Sequence, residues 1–370
     1  MNAKYDFLFV GAGLTNAILA YRAKEELNAT CLVIDSRAEL GGNCHTYDDN
    51  GIVVHKYGPH IFHTDNKKVW NFIGRFADFH EFRHRPKAAV GGRLYDLPFS
   101  LSLYRQVWPD VKTEEDARAK IQSEIIPLAG EPRNLEERAL STIGKTLYEM
   151  FVKGYTEKQW GKPCTELPPS ILARIPVRFD EDCDYFNEKY QGVPVDGYTP
   201  MFERLLDGIE VRLGEDFNAE NRAYWERQAG TIFYSGSIDK FFGYSLGQLE
   251  YRSLRIVHKR FPFQGEIQKS AVVNYPGQNP DYTRSTEHSL FLPRNMRFAH
   301  GRTAIDYEYP TKYREGINDP MYPVPTAENL ALYQKYEAMR PANVNFVGRL
   351  GKYKYANMDA CVEFAMSFQL

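Results

Sequence analysis

The beginning of the chain constrains its fold most tightly. Asp6-Phe7-Leu8-Phe9-Val10 is a mostly apolar run that stops at Gly11-Ala12-Gly13; a helix-forming stretch follows, and a second apolar run, Cys31-Leu32-Val33-Ile34, ends in Asp35. Asp35 stands 22 residues beyond Gly13, which is the spacing of a βαβ unit that holds a dinucleotide. Gly11 permits the tight turn, and Gly13 lets backbone approach a pyrophosphate whose charge sits on a helix N-terminus. Asp35 is placed to accept hydrogen bonds from a ribose. The third glycine of such fingerprints is replaced here by Asn16, followed by Ala17. Looser packing of helix on strand is expected there, while phosphate binding rests mainly on the first two glycines.

A chain of 370 residues exceeds one hydrophobic core, so two or three packed units are expected. A net charge of −2 with mixed signs argues against nucleic acid as the main partner. The apolar runs are strand-length, well short of the ~20 residues a membrane helix needs. Met1 leads straight into the first strand, leaving no room for a signal peptide. Cys31, Cys44, Cys164, Cys183 and Cys361 are scattered and form no Cys-x-x-Cys. They read as reduced thiols of a cytoplasmic protein, with neither a disulfide framework nor a zinc site. Several of the 25 tyrosines fall in Gly/Pro-rich segments, where they serve either as buried structural rings or as stacking and phosphate contacts.

Along the chain, the first βαβ occupies about 4–36, and Phe82–Val90 with Arg93–Leu97 around Gly91-Gly92 predicts a hairpin. From Thr113 to Trp160 the pattern is helical, with Leu135, Ala139, Leu140, Ile143, Leu147, Met150 and Phe151 giving one apolar face. Strand-like runs follow at 271–275, 284–288 and 303–309. Val344–Val347 then reads as a buried strand running into Gly348-Arg349-Leu350-Gly351, and Met358–Phe368 as a helix. A strand–glycine–helix at the far end implies that the nucleotide unit is completed there and is discontinuous.

Three constellations could carry chemistry. Gly58-Pro59-His60-Ile61-Phe62-His63 follows a predicted strand; no third metal ligand is specified, so the turn brings backbone and imidazole against a cofactor or is structural. Gly154-Tyr155-Thr156-Glu157-Lys158-Gln159-Trp160-Gly161 reads as a movable loop offering flat rings to a base or sugar, or as a core tryptophan. Arg174, Arg178 and Arg284 lie in proline- and aromatic-rich segments, and arginine suits bidentate phosphate binding. No GxSxG, HExxH, Walker lysine or catalytic-cysteine signature is present. The hard chemistry is therefore assigned to the cofactor.

Gly41-Gly42 lies six residues beyond Asp35 and resembles the second glycine turn of glutathione-reductase-type flavoproteins, favouring FAD over nicotinamide. Wider motifs extend the likeness: GAGLT at 11–15, LGGN at 40–43, HKYGPHIFHT at 55–64, GYTEKQWG at 154–161 and RIPVRF at 174–179. They continue with YQGVPVDGYT at 190–199, YRSL at 251–254, YTR at 282–284 and VGRLGKYKY at 347–355. With these the chain resembles the bacterial UDP-galactopyranose mutase family nearly end to end.

The resemblance implies an α/β fold: a Rossmann-like FAD-binding domain (1–76, 209–240 and 322–370), a small helical domain (99–165), and a six-stranded antiparallel sheet domain (77–98, 166–208 and 241–321). It implies interconversion of UDP-galactopyranose and UDP-galactofuranose without net redox change, the reduced flavin N5 holding the sugar while UDP leaves and returns. Arg174, on a mobile loop, and Arg284 would hold the diphosphate, helped by Tyr185, Tyr322 and Tyr355. Phe151, Tyr155, Thr156 and Trp160 would surround the uridine, and Asn274 and His63 would lie near sugar and flavin. Glu308 matches the family's active-site glutamate. Gly11, Gly13, Leu14, Asp35, Gly42, Asn43, His60, Gly348 and Arg349 would hold FAD, reduced by NADPH or another donor. Asn357 stands where the galactose enzymes carry aspartate, and His84 where a small polar residue is usual, so sugar preference is open. The competing sugars are UDP-N-acetylgalactosamine and dTDP-fucose types, and the competing class is an FAD-dependent oxidoreductase. A UDP-sugar, a homodimeric partner, and neither nucleic acid nor a transmembrane segment complete the expectation.

Overall fold

The computed structural model describes residues 4–263, 265–298 and 301–370, and of Ala173 and Arg174 the backbone alone. The first unit is a parallel sheet in the order Glu210–Leu213, Cys31–Asp35, Tyr5–Val10, Ala229–Tyr234, Val344–Phe346. Its strands are apolar almost throughout because both faces are covered. Phe9, Val33 and Phe233 pack beneath helix Leu14–Leu27, with Met201, Phe202 and Val362. The alternate positions Leu8, Val10, Leu32, Ile34, Ile232 and Tyr234 pack on the opposite side with Trp225, Phe241 and Tyr336. The last strand of the chain, Val344–Phe346, lies in the same sheet as the first, so the unit is assembled from distant segments.

At the third fingerprint position, Asn16 does what glycine cannot. It is fully buried, and its Nδ2 donates to the carbonyls of Val10 and Gly11, both at 2.9 Å, and lies 3.3 Å from Ser235 Oγ. The amide thus ties the turn to two neighbouring strand ends.

A second sheet runs in the order Tyr322–Pro323, Tyr251–Phe261, Thr303–Lys312, Arg284–Glu287, Val272–Asn274, Lys87–Val90, Arg93–Asp96. It is the expected antiparallel sheet with a two-residue edge strand added, and only Val272–Asn274 beside Lys87–Val90 is parallel. The predicted hairpin is Lys87–Val90 and Arg93–Asp96, shorter than expected because residues 82–86, which include Pro86, form no strand.

The helical unit holds Leu135, Ala139, Ile143, Leu147 and Phe151 in its core, with Leu140 and Met150 only partly buried. The expected single face is broken at Gly144, whose φ of +79° ends the helix Leu135–Thr142. Tyr148–Val152 then forms one wide turn before helix Lys153–Trp160. That helix corrects the movable loop expected at 154–161. Gly161 terminates it in the left-handed conformation, at φ +66°, and Arg252 Nε donates to the Gln159 carbonyl at 2.8 Å. Lys158 Nζ pins it to a neighbouring segment through the carbonyls of Tyr275 (2.7 Å), Pro280 (2.9 Å) and Tyr282 (3.1 Å).

Candidate functional site

Two cavities meet between the sheets. The first, about 560 Å³, lies at the carboxyl end of the parallel strands and is lined by Gly11, Gly13, Leu14, Asp35, Gly42, Asn43, His60, Gly348 and Arg349. Gly13 has an ordinary extended backbone (φ −82°, ψ 177°), and a Cβ built on it would have no atom within 4 Å. Nothing in the fold therefore requires glycine there, and the absence of a side chain leaves the backbone open to a ligand. Gly42, at φ +55°, brings the second glycine turn onto the first, its would-be Cβ 3.1 Å from Gly13 Cα. Helix Leu14–Leu27 opens with no side-chain cap and no acid in its first turn, leaving its N–H groups and positive dipole end for an anion. Asp35 Oδ2 accepts the Ala12 N–H at 2.7 Å and Oδ1 the Arg37 N–H at 2.8 Å. Burial pushes its pKa up and those two bonds oppose it; each oxygen keeps a second lone pair for a hydroxyl.

The second cavity, about 630 Å³, is lined by His63, Phe151, Tyr155, Thr156, Trp160, Tyr185, Asn274, Arg284, Tyr322, Tyr355 and Asn357. His60, Arg349 and Met358 line both cavities. Arg284 Nη2 donates to Tyr155 Oη at 3.1 Å, while its buried Nε has no hydrogen-bond partner. Arg349 lies over the Tyr355 ring at 4.7 Å and the Tyr322 ring at 5.6 Å, and those rings stack on each other. Two guanidinium groups and a set of phenols thus face one space, a donor-rich lining suited to a diphosphate.

The histidines divide. His60 Nδ1 lies 2.8 Å from the Gly58 carbonyl, so that nitrogen carries the proton and Nε2 is the acceptor. Burial, aided by the Arg349 charge, pushes its pKa down to about 4. His63 stacks on Phe186 at 3.8 Å and lies 3.1 Å from Glu188 Oε1. His84, which also lines the second cavity, is pushed down to about 3 by burial and then by Arg284. Both His60 and His84 are neutral imidazoles at ordinary pH.

Two expected residues stand apart. Glu308 does not line either cavity; it is buried behind Arg284, its Oε2 3.8 Å from Arg284 Nε. The side chain of Arg174 lies outside the described residues. Sequence reading missed Arg37, which bonds Asn43 Oδ1, pairs with Asp319 at 2.9 Å and stacks over Tyr57 at 4.1 Å. It missed the segment 313–320 along the first cavity as well. The position of Arg37, two residues after Asp35, was the available signal; segment 313–320 had none.

The fold and site define a dinucleotide-binding protein whose cofactor cavity opens onto a second, cation-lined ligand cavity. The UDP-galactopyranose mutase family description matches residues 150–355, and an NAD(P)-binding Rossmann-like domain matches 10–76. The chain is 40% identical to a probable UDP-galactopyranose mutase of Klebsiella pneumoniae, covering 99% of this chain and 94% of that one. It is 38% identical to the dTDP-fucopyranose mutase of Escherichia coli, covering 97% and 96%. It is 32% identical to a UDP-galactopyranose mutase of Mycoplasma pneumoniae, covering 97% and 94%. A crystal structure of reduced UDP-galactopyranose mutase superposes with TM-score 0.74 at 15% identity over 98% of this chain and 94% of that one, a likeness of fold. The chain belongs to the UDP-galactopyranose mutase family, and is an enzyme of the isomerase class. No helix among the described residues is long and apolar enough to cross a membrane.

Proposed function

We propose that this enzyme interconverts the pyranose and furanose forms of a nucleoside-diphosphate hexose, with UDP-galactose as the first candidate and FAD as cofactor. The observation that carries the reading is the shared wall: His60, Arg349 and Met358 belong to both cavities, so a ring system at the end of one touches a sugar in the other. The residues present fit FAD. Gly13 leaves room at the backbone, the uncapped helix offers its N–H groups to a pyrophosphate, and Asp35 retains acceptor capacity for a ribose. When bound and reduced, the flavin supplies the nucleophile.

The protein's own work is then binding and orientation. Arg284 and Arg349 hold the diphosphate as it departs and keep it within reach to return, with Tyr155, Tyr185, Tyr322 and Tyr355 around them; Arg174 is assigned to the same grip from its sequence motif. Phe151, Thr156 and Trp160 form the wall for the base, and Asn274, His63 and Asn357 that for the sugar. His60, neutral and with Nδ1 committed to Gly58, presents a fixed acceptor at the junction.

A second reading keeps the chemistry and changes the sugar. The dTDP-fucopyranose relative is nearly as similar as the galactose one, 38% against 40%, and Asn357 removes a negative charge from the sugar wall. Incubating FAD-loaded, reduced enzyme separately with UDP-galactose, dTDP-fucose and UDP-N-acetylgalactosamine, and resolving products by chromatography, separates the two. Ring contraction fastest with UDP-galactose supports the first reading, and fastest with another sugar replaces it. Turnover that consumes an electron acceptor in proportion to product would instead mark an oxidoreductase.

A further inference from the structure

The antiparallel sheet carries a ladder of ionisable side chains leading away from Arg284. Asp306 and Glu308 are two apart on one strand and so share a face; His258 pairs across from Asp306, and Arg284 across from Glu308. Asp306 is 2% exposed, and its Oδ1 accepts from His258 Nδ1 at 2.6 Å while His288 Nε2 lies 2.9 Å from its Oδ2. His258 Nε2 reaches Asp49 Oδ2 at 3.0 Å, which also accepts from Arg260 Nε at 2.6 Å. An imidazole between two carboxylates is held charged, and His258 is accordingly raised, first by its bond to Asp306. Asp49, through Arg260, and Asp306, where His288 and His258 overcome burial, are each held down to about 2.

His258, His288 and Asp306 offer three ligand atoms close together, a donor set for a divalent cation. The hydrogen bonding points elsewhere. His288 Nδ1 accepts the His55 N–H at 3.4 Å, which puts the ring proton on Nε2, beside Asp306, where a metal would need a lone pair.

Glu308 stands between this network and the substrate cavity. Its Oε1 is buried and unpartnered, and its 3.8 Å approach to Arg284 Nε is too long for a hydrogen bond. Around it are Arg284 from one neighbouring strand, Ile256 from the other, Asp306 from its own, His288 from the turn 288–291 and Tyr322 from the edge strand. Gly58 packs on it from the segment bearing His55 and His60. An ionised Glu308 would cancel the Arg284 charge; a neutral one leaves that charge to the cavity. Burial pushes Glu308 up, Arg284 opposes this, Asp306 adds to it, and His288 opposes it in turn.

We propose that the Asp49–His258–Asp306–His288 network is a positioning element for ligand binding: the charge fixed at Asp306 acts through Glu308 on Arg284, and so sets how strongly the substrate cavity holds a nucleoside diphosphate. The inference rests on the functional reading above. It is tested by calorimetric titration of UDP into FAD-loaded protein from pH 6 to 8.5. Wild type is expected to bind across the range. Asp306→Asn is expected to bind about tenfold more weakly at pH 8 than wild type, the scale of one lost charge-assisted contact, with the deficit shrinking as pH falls. Adding Glu308→Gln, which cannot ionise, should restore binding at pH 8. His258→Gln should move binding the opposite way, binding UDP more tightly than wild type at pH 8.5, because it leaves the Asp306 charge less compensated.

A loss in Asp306→Asn that is independent of pH and unrepaired by Gln at 308 overturns the proposal in favour of a structural role. So does unaltered binding in both Asp306→Asn and His258→Gln while wild type binds UDP. Stoichiometric zinc in purified wild type that His258→Gln lacks would overturn it in favour of a metal site. Failure of wild type to bind UDP would overturn the functional reading and this inference together.

Discussion

Gly11 and Gly13 are two residues apart, yet alanine at each should fail in a different assay. At Gly13 the backbone is extended and a Cβ meets open space. Gly13→Ala should therefore change apoprotein stability by less than about 1 kcal/mol, the small N-cap cost offsetting the lost freedom of the unfolded chain. The same methyl occupies the space through which a pyrophosphate reaches the helix N–H groups. Losing two charge-assisted bonds at about 1.5–3 kcal/mol each weakens FAD binding by roughly 10²–10⁴-fold. At Gly11 the order reverses. Its φ is +98°, and a Cβ would lie 2.1 Å from Ser235 Oγ, which bonds the Val10 carbonyl at 2.9 Å. Left-handed strain of about 1–2 kcal/mol plus about 1 kcal/mol for the displaced serine puts Gly11→Ala near 2–3 kcal/mol less stable. Denaturant unfolding of the apoproteins and fluorescence titration with FAD measure both quantities. Native FAD affinity in Gly13→Ala would refute the assignment of the first cavity.

Arg284→Ala should keep bound FAD while weakening UDP binding by roughly 10²-fold, the loss of one or two charge-assisted bonds; Arg284→Lys should rescue poorly for want of the planar fork. Loss of flavin in either variant would contradict the separation of the two cavities. Gly154→Ala places a methyl 2.2 Å from the Pro276 carbonyl oxygen, so the helix carrying Tyr155 and Trp160 must move outward despite a helix-propensity gain of about 1 kcal/mol; weakened UDP binding with FAD retained is expected by titration. His60 and His84 are depressed by burial from 6.5 to about 4 and about 3. As pH falls below 6.5 the unfolded chain takes up these protons first, so stability should decline from pH 6.5 toward 4. Thermal unfolding across that window should show a shallower decline in His84→Asn.

What was legible in the sequence was local. The βαβ unit needs only neighbouring residues: apolar runs, two glycines and an acid at fixed spacing. The hairpin around Gly91-Gly92 is equally self-contained. Helix Lys153–Trp160 was misread as a loop because its end is held by Arg252 and its side by carbonyls of Tyr275, Pro280 and Tyr282, partners distant in sequence. Asn16 looked like a defect in a fingerprint, since the carbonyls it binds come together only after the strands pair. Arg284 was singled out by type and context, but the unpartnered Nε and the glutamate behind it depend on strand register. His258, Asp306 and Asp49 carried no signal at all, lying on segments that only the folded sheet aligns.

The most direct measurement is NMR of the sugar products formed by dithionite-reduced and by oxidised FAD-loaded enzyme acting on UDP-galactose. Furanose should accumulate to equilibrium with the reduced enzyme alone, without proportional consumption of reductant. Equal conversion by the oxidised enzyme, or reductant consumed mole for mole with product, would contradict a catalytic reduced flavin at the junction of the two cavities.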